Sequence, residues 1–246
     1  MEPIQINPTE LEMIGSGDEG IVYNYHNKYA VKIFTKYRGL DKKAKLCRKM
    51  SKVEEMTSFH DPAFAYPYGL ANTDGINQEG YYTELFHFKN SLASLKRHCT
   101  PDQLRAIFLK AEDGMKRAHR QGIVLGDIKE DNIMLRENGD PVWIDTDNYK
   151  FGKHHFDLIP FRAGTFYKMY GGRVLDFKDN DILVFSIMSM GLLTKDKRFD
   201  VKSTSFDIRD ALAERSLDKE TKEILDCIFS DAENKPYIGK VLEKIR

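Results

Sequence analysis

The sequence predicts an α+β protein with a small β-rich amino-terminal lobe (residues 1–86) and a larger α-helical carboxy-terminal lobe (residues 87–246). Short runs of β-branched and aromatic residues fill the first third, whereas stretches with helical periodicity follow. A chain of 246 residues with 41% apolar and 31% charged residues is typical of a globular protein with a sizeable core. Two lobes of different class predict a cleft between them.

The composition argues against several classes of function. Lys and Arg together number 38, as do Asp and Glu, so net charge does not favour nucleic acid or a membrane as partner. The three cysteines lack metal-ligand spacing, which indicates thiols in a reducing compartment. The first residues do not resemble a secretion signal, and the longest apolar stretch, residues 182–193, is too short to span a bilayer. We therefore expect a cytoplasmic protein.

Strands dominate the predicted first lobe. They cover residues 11–14, 21–23, 29–34 and 80–88. The polar residues 26–28 suit a hairpin turn. Residues 41–59 form a predicted helix, because apolar residues recur at i, i+4 and i+7 from Leu46. Its many lysines, Lys49 and Lys52 among them, are expected on the solvated face.

Helices dominate the predicted second lobe. Thr100 caps the first one, Pro101 presets φ at its first position, and Gln103 completes a capping box. An apolar face follows until Gly122 ends the helix. Further helices are predicted at residues 180–193, 219–229 and 237–245.

Two patterns in the first lobe suggest phosphate binding. Gly15, Gly17 and Gly20 lie between predicted strands, where a glycine loop can approach phosphates with its N–H groups pointing inward. Lys32 stands among apolar strand residues and offers a fixed cation for a polyphosphate. Each pattern on its own also has a simpler explanation, which is a plain glycine hairpin for the first and a strand lysine that reaches solvent for the second.

Two polar clusters follow the capped helix. Asp127, Lys129 and Asn132 lie in a short loop, and Asp145 follows a hydrophobic strand. A hairpin around residues 137–140 would bring Asn132 and Asp145 side by side. Adjacent oxygen ligands suit Mg²⁺, which keeps water and substrate phosphates in its shell. Either cluster alone is also compatible with an acidic surface turn.

The order and spacing of these motifs resemble the protein kinase family, from about Leu11 to Ile245. The glycine loop, the A-V-K strand, the D-x-K-x-x-N loop and the later Asp match in sequence, and residues 181–186 look like the family's buried central helix. The resemblance implies a bilobal kinase-like fold and a serine/threonine-protein kinase. It also implies ATP and Mg²⁺ as cofactors and a protein with a Ser or Thr acceptor as partner.

The resemblance also implies the nucleotide site. Its residues would be Gly15, Gly17, Gly20, Val22, Ala30, Lys32, Thr83, Glu84 and Phe86. The glycines would cover the phosphates, and Lys32 would hold the α- and β-phosphates. Thr83 would be the gatekeeper before a hinge that hydrogen-bonds adenine.

The implied catalytic residues are Asp127, Lys129, Lys32 and Glu55, and the implied metal ligands are Asn132 and Asp145. Asp127 would orient the acceptor hydroxyl, and Lys129 would steady the γ-phosphate. Glu55 is the expected helix partner of Lys32, with Glu54 as the alternative. Positioning and charge neutralisation are what phosphoryl transfer requires.

Four motifs depart from the family. The usual H-R-D is Leu125-Gly126-Asp127, so we expect activity without phosphorylation of the activation segment. The usual D-F-G is Asp145-Thr146-Asp147, and Asp147 is expected to face solvent. The A-P-E motif is missing from residues 164–172, and Lys235 stands where its arginine partner is expected. These changes leave two alternatives open, a small-molecule kinase like the antibiotic and choline phosphotransferases, and a pseudokinase scaffold.

Overall fold

A six-stranded β-sheet occupies the first part of the chain and helices make up most of the rest, which confirms the α+β prediction. The computed structural model describes residues 2–17, 19–35, 40–73, 79–154, 177–199, 205–230 and 234–245. The chain forms two compact units, Met1–Asn90 with Val142–Asp147, and Ser91–Pro141 with Asn148–Arg246. The boundary expected between residues 86 and 87 falls close to the end of the first of these segments.

The sheet belongs to the first unit. Its strands are β1 (Ile4–Ile6), β2 (Glu12–Ser16), β3 (Gly20–Tyr25), β4 (Tyr29–Phe34), β5 (Gly69–Thr73) and β6 (Glu79–Glu84). Their order is β1-β5-β6-β4-β3-β2, with β1 and β5 parallel and the other pairs antiparallel. The sequence anticipates β2, β3, β4 and β6, although β6 ends earlier than predicted.

The hairpin between β3 and β4 forms as the sequence predicts. His26 and Asn27 adopt positive φ angles of 57° and 54°, and the Lys28 N–H donates to the Tyr25 carbonyl at 3.1 Å. Two consecutive left-handed residues are typical of a turn that matches the twist of the flanking strands. The β3–β4–β6 part of the sheet is thereby set in register, with Lys32 at the centre of β4.

The first unit also contains helix α1 (Leu40–Met56), close to the predicted bounds. Val53 and Met50 pack with Phe34 and Tyr81 in one hydrophobic cluster. The expectation that the lysines of this helix are solvated is wrong for Lys49 and Lys52, whose exposed fractions are 0% and 1%.

The second unit is mainly helical. Its helices are α2 (Leu92–Leu95), α3 (Pro101–Arg120), α4 (Phe177–Thr194), α5 (Ser205–Ala213), α6 (Lys219–Ile228) and α7 (Gly239–Leu242). Strand β7 (Ile133–Leu135) also lies here, and β8 (Pro141–Trp143) leads into the Val142–Asp147 segment of the first unit. The turn after β7 is closed by the Gly139 N–H donating to the Arg136 carbonyl at 2.9 Å.

Helices α3 and α4 form the centre of the second unit, with Phe108 packed edge-on against Phe185. The capping box at Thr100 and Gln103 is present as predicted. Helix α7 is shorter than the predicted helix at both ends, and at its start the Glu112 carboxylate accepts from the Gly239 N–H at 2.9 Å.

The cysteines Cys47, Cys99 and Cys227 are free thiols. None of the helices in the described ranges combines the length and the apolar character needed to cross a bilayer.

Candidate functional site

A cluster of buried charges lies around Lys32 in the first unit. The Lys32 ammonium is 2.5 Å from Asp145 Oδ1 and 2.9 Å from Asp147 Oδ1. Strand β4 presents Lys32 between the buried residues Val31 and Ile33, and the chain after β8 supplies both carboxylates. The predicted proximity of Lys32 and Asp145 is therefore present in the structure.

Asp147 is the centre of this cluster, and the expectation that it faces solvent is wrong. Its side chain is 0% exposed. It accepts a hydrogen bond from the Tyr81 hydroxyl at 2.6 Å, and its Oδ2 lies 2.8 Å from the Lys49 ammonium. A carboxylate that is fully buried needs such cationic and hydroxyl partners to remain ionised.

Glu19 joins the cluster from the glycine hairpin between β2 and β3. Its Oε2 lies 3.1 Å from the Lys49 ammonium and 4.0 Å from that of Lys32. Gly17 N–H donates to the Gly20 carbonyl at 3.0 Å, which closes the tip of the hairpin. The glycines of this hairpin were predicted to matter, but Glu19 was not, because its inward orientation has no sequence signal.

Packing explains one of the three glycines without any ligand. A Cβ at Gly20 would lie 2.3 Å from the Ile33 carbonyl oxygen, so β4 itself requires glycine at this position. A Cβ at Gly17 would meet nothing within 4 Å, and one at Gly15 would make ordinary contact with Val22. Gly15 and Gly17 therefore remain available for another role, and phosphate approach is one that suits them.

For most residues of the cluster, attraction between opposite charges shifts the pKa more than burial does, and it favours the charged form. Burial lowers the pKa of Lys32 and of Lys49, but the neighbouring carboxylates raise both pKa values above the ordinary lysine range. Burial raises the pKa of Asp147, yet Lys32 and Lys49 hold it well below the usual value. The pKa of Asp145 is raised instead, first by burial, against the opposing effect of Lys32.

The backbone at Asp145 is left-handed, with a φ of 59°. A positive φ is uncommon outside glycine, and such conformations concentrate at functional sites. The adjacent Thr146 is 0% exposed and donates its hydroxyl to the Ala65 carbonyl at 3.2 Å. Thr146 thus anchors the turn that sends Asp145 and Asp147 toward Lys32.

The expected ion pair between Lys32 and Glu55 is not formed. Glu54 and Glu55 are both on the exposed side of α1. The carboxylates that lie within 4.0 Å of the Lys32 ammonium come from Asp145, Asp147 and Glu19. Helix α1 contributes the buried Lys49 to the cluster in place of a glutamate.

The residues expected to contact adenine lie on neighbouring strands. Val22 of β3 is opposite Lys32, and Ala30 of β4 is opposite Thr83 of β6. The Thr83 hydroxyl donates to the Tyr66 carbonyl at 2.8 Å. The expected hinge residues follow directly, with Glu84 as the last residue of β6 and Phe86 half-buried just beyond. Their role toward a nucleotide remains a prediction.

A second cluster lies in the loop before β7, within the second unit. The Lys129 ammonium is 2.6 Å from Asp127 Oδ2, and Asn132 Nδ2 donates to the same oxygen at 3.1 Å and to the Asp127 carbonyl at 2.8 Å. Asn132 is buried in a short 3₁₀ turn, Glu130–Asn132. The three residues that the sequence analysis chose in this loop are therefore in mutual contact.

Asp181 in α4 anchors this loop. Its carboxylate, 0% exposed, accepts from the Leu125 and Gly126 N–H groups at 2.8 Å each. His119 Nε2 lies 2.9 Å from the same carboxylate, and His119 Nδ1 lies 2.8 Å from the Tyr237 hydroxyl. The backbone just before Asp127 is thus held by a buried polar network.

A cavity of about 630 Å³ in the second unit extends from this loop. Lys129, Glu130 and Asp131 line one part of it, and residues of α4 with the following segment, including Leu192 and Phe199, line another. Glu130 forms an ion pair with Lys96, which also borders the cavity. The lining combines charged and apolar side chains, as small-ligand sites do.

The two proposed metal ligands suit Mg²⁺ in chemical type. The Asn132 amide uses its nitrogen toward Asp127, which leaves the amide oxygen for a cation. Mg²⁺ needs few protein ligands, because phosphates and water complete its shell. Asn132 and Asp145 belong to different units, so their joint coordination of one ion remains a prediction. Among the described residues, no group of three or more His, Cys, Asp and Glu side chains is arranged to hold a metal.

Residues 164–172, where the family's A-P-E motif is missing, lie outside the described residues. Lys235, in the position expected for the partner arginine, is 4% exposed. Its ammonium donates to the Ser230 carbonyl at 2.6 Å, just beyond α6, and its backbone N–H donates to Asp179 at 2.8 Å. Lys235 therefore has a defined structural role at a helix end.

The sequence matches no protein-family model, and no curated protein shows significant similarity to it.

Proposed function

We propose that this protein is a Mg²⁺- and ATP-dependent phosphotransferase with a kinase-like bilobal fold, which transfers the γ-phosphate of ATP to a Ser or Thr hydroxyl of a protein. The observation that carries the proposal is the Lys32 cluster, in which a strand lysine next to a glycine hairpin meets the carboxylate of Asp145. We also propose a cytoplasmic location, with which the free cysteines are compatible.

The first unit supplies groups suited to a nucleotide triphosphate. Lys32 keeps its positive charge, because the neighbouring carboxylates raise its pKa. A cation that is fixed by packing binds phosphate without further ordering, and backbone N–H groups of a glycine hairpin add to such a site. Bound Mg²⁺ would neutralise the charge of the phosphates, with Asp145 and Asn132 as its protein ligands.

The second unit supplies groups suited to transfer. Asp127 is held by Lys129 and Asn132, and its side chain is 35% exposed, so it can reach an acceptor hydroxyl. Lys129 is 33% exposed and can contact a transferred phosphate. The proposal requires both clusters to act on one ATP molecule, as in-line transfer demands.

The cavity beside Lys129 is the proposed acceptor site. It provides about 630 Å³ next to the loop that carries Asp127. A volume of this size accepts either a protein side chain with its neighbours or a small metabolite. A small-molecule kinase is therefore the second candidate, and an ATP-binding pseudokinase is the third.

Transfer of labelled γ-phosphate from ATP tests the proposal directly. The full chain is incubated with Mg²⁺, labelled ATP and one of three acceptors: itself, a generic protein rich in serine and threonine, or a panel of amino and hydroxyl metabolites. Label on protein supports the proposal, and label on a metabolite only supports the second candidate. Nucleotide binding without transfer to any acceptor contradicts enzymatic function.

Three substitutions assign the roles. We expect Lys32→Ala and Asp145→Ala to abolish transfer in protein that circular dichroism shows to be folded. Asp127→Asn should lower the rate by about 10²–10⁴, the usual contribution of a positioned acid–base group. Asp113→Asn is the matched control, since it makes the same change at an exposed carboxylate of α3 that lies outside both clusters and the cavity. Wild-type rates in any of the first three variants would show that the role given to that residue is wrong.

A further inference from the structure

The charge cluster contains a residue with no assigned role, Lys49 of α1. Its side chain is 0% exposed and lies between Glu19 Oε2 at 3.1 Å and Asp147 Oδ2 at 2.8 Å. A lysine without solvent is costly unless carboxylates compensate it, and both of its partners are themselves buried. Such a costly arrangement suggests a specific role, since an apolar residue would pack here more simply.

Asp147 links Lys49 to Lys32. Its two oxygens are divided between the lysines, with Oδ2 toward Lys49 and Oδ1 toward Lys32 and the Tyr81 hydroxyl. Both ammonium groups also lie over the Phe34 ring, at 5.5 Å for Lys49 and 5.7 Å for Lys32. The contacts therefore connect helix α1 to strands β4 and β6 through one carboxylate.

The charges in the cluster explain what Lys49 contributes. Among the ion pairs of the described residues, two lysines, Lys32 and Lys49, stand against three carboxylates, those of Glu19, Asp145 and Asp147. The wild-type excess is thus one negative charge. Without Lys49 the excess would be two, and Lys32 alone would face all three carboxylates. The carboxylates would then repel an anionic ligand near Lys32 more strongly, and they would neutralise more of the charge of the Lys32 ammonium.

We infer that Lys49 is a positioning residue of the phosphate site: it holds Asp147, and through it Lys32, and keeps the charge of Lys32 available to a nucleotide. The inference rests on the proposed function, because a nucleotide is the ligand that Lys32 is proposed to bind. In this arrangement α1 stabilises the site with the Lys49 ammonium, whereas the expected contribution of this helix was the Glu55 carboxylate.

A charge-restoring pair of variants tests this inference. Lys49→Met removes one positive charge and leaves an excess of two negative charges, whereas Lys49→Met with Asp147→Asn returns the excess to one. The dissociation constant for the magnesium complex of a non-hydrolysable ATP analogue is measured by calorimetry. We expect it to rise about tenfold in Lys49→Met, equivalent to about 1.4 kcal/mol. It should recover only partly in the double variant, because the net charge is restored but the Asp147 carboxylate no longer holds Lys32.

Lys45→Met is the matched control, because it removes the same charge from an exposed position of the same helix. It should leave the dissociation constant unchanged. Thermal unfolding of Lys49→Met, of Asp147→Asn and of the double variant tests the ion pair without any ligand. We expect the effects of the two substitutions on the unfolding equilibrium constant to be coupled by about tenfold. All affinity measurements are made well below the unfolding transition of the least stable variant.

The outcomes separate the inference from the proposed function. If wild type binds the analogue and Lys49→Met binds it equally well, the inference is overturned while nucleotide binding stands. Additive effects of the two substitutions on unfolding would overturn the pairing itself. If wild type binds no nucleotide, the proposed function fails and the role given to Lys49 fails with it, although coupling in the unfolding data would still establish the ion pair.

Discussion

The buried carboxylate of Asp181 allows a sharp test of how the loop before Asp127 is held. We choose Asp181→Asn, because it keeps the size of the side chain and changes only its hydrogen bonding. Asp181 Oδ2 receives the Leu125 N–H and contacts His119 Nε2, whereas Oδ1 receives the Gly126 N–H. Asparagine offers one acceptor oxygen in place of two, so at least one of these donors must face an amide N–H group.

The expected loss follows from that geometry. Leaving a buried donor unpaired costs about 1–3 kcal/mol of the free energy of unfolding. In a chain of this size, each kcal/mol lowers the melting temperature by about 2–4 °C. We therefore expect Asp181→Asn to melt roughly 2–12 °C below wild type. Amide hydrogen exchange at Leu125 and Gly126 should also accelerate, because these are the N–H groups that the carboxylate protects.

Asp179→Asn is the matched control. Asp179 lies on the same helix, is 5% exposed, and also accepts from two backbone N–H groups, those of Asn234 at 2.9 Å and Lys235 at 2.8 Å. Its substitution should lower the melting temperature to a similar degree and should leave exchange at residues 125–126 unchanged. Phosphate transfer should fall in Asp181→Asn beyond the loss in the control. Equal exchange and equal transfer in the two variants would refute a specific role for Asp181 in holding the loop.

Two further predictions concern other parts of the protein. Gly80→Ala should destabilise the protein to urea by about 1–3 kcal/mol or more, because the added Cβ would lie 1.9 Å from the Lys32 carbonyl oxygen. Gly17→Ala is the control: its Cβ would lie in open space, so the urea midpoint should not change. Asp218 accepts from the Thr221 N–H at 2.9 Å, and this hydrogen bond, together with the Thr221 hydroxyl and Lys244, lowers its pKa from the usual 3.8 to about 2. The stabilising effect of the ionised Asp218 carboxylate should be complete above its usual pKa of 3.8 and should disappear as the pH falls through about 2. In urea unfolding, the higher stability of wild type relative to Asp218→Ala should therefore vanish in that range. A constant advantage down to pH 2 would contradict the assignment.

The main helices and the β3–β4 hairpin could be predicted, because their signals are local. The capping box at Thr100 and the polar turn at residues 26–28 determine backbone geometry within a few residues. Strands β1 and β5 gave no comparable signal. They pair in parallel across a long stretch of sequence, and β5 contains Gly69 and Asn72, which are poor strand formers.

The site was predictable where a motif brings its residues together over a short distance, as in the loop of Asp127, Lys129 and Asn132. Proximity of Lys32 to Asp145 followed from the order of motifs and not from any local pattern. The partner of Lys32 could not be found in this way. Glu55 was the expected partner because apolar residues follow it in the predicted helix. In the structure, the rotation of α1 about its axis places Glu55 on the exposed side.

That rotation also explains why the lysines of α1 were misjudged. A helix with several lysines and few apolar residues suggests one solvated face, since an isolated buried ammonium is unstable. The burial of Lys49 depends on Glu19 and Asp147, which lie far from it in sequence and have no pattern that links them to the helix. Three residues that separately look like surface charges thus form an interior network, because each one compensates the desolvation of another. The burial of each of these charges is stable only when the other two are present, so it cannot be predicted from any one of the three sequence segments.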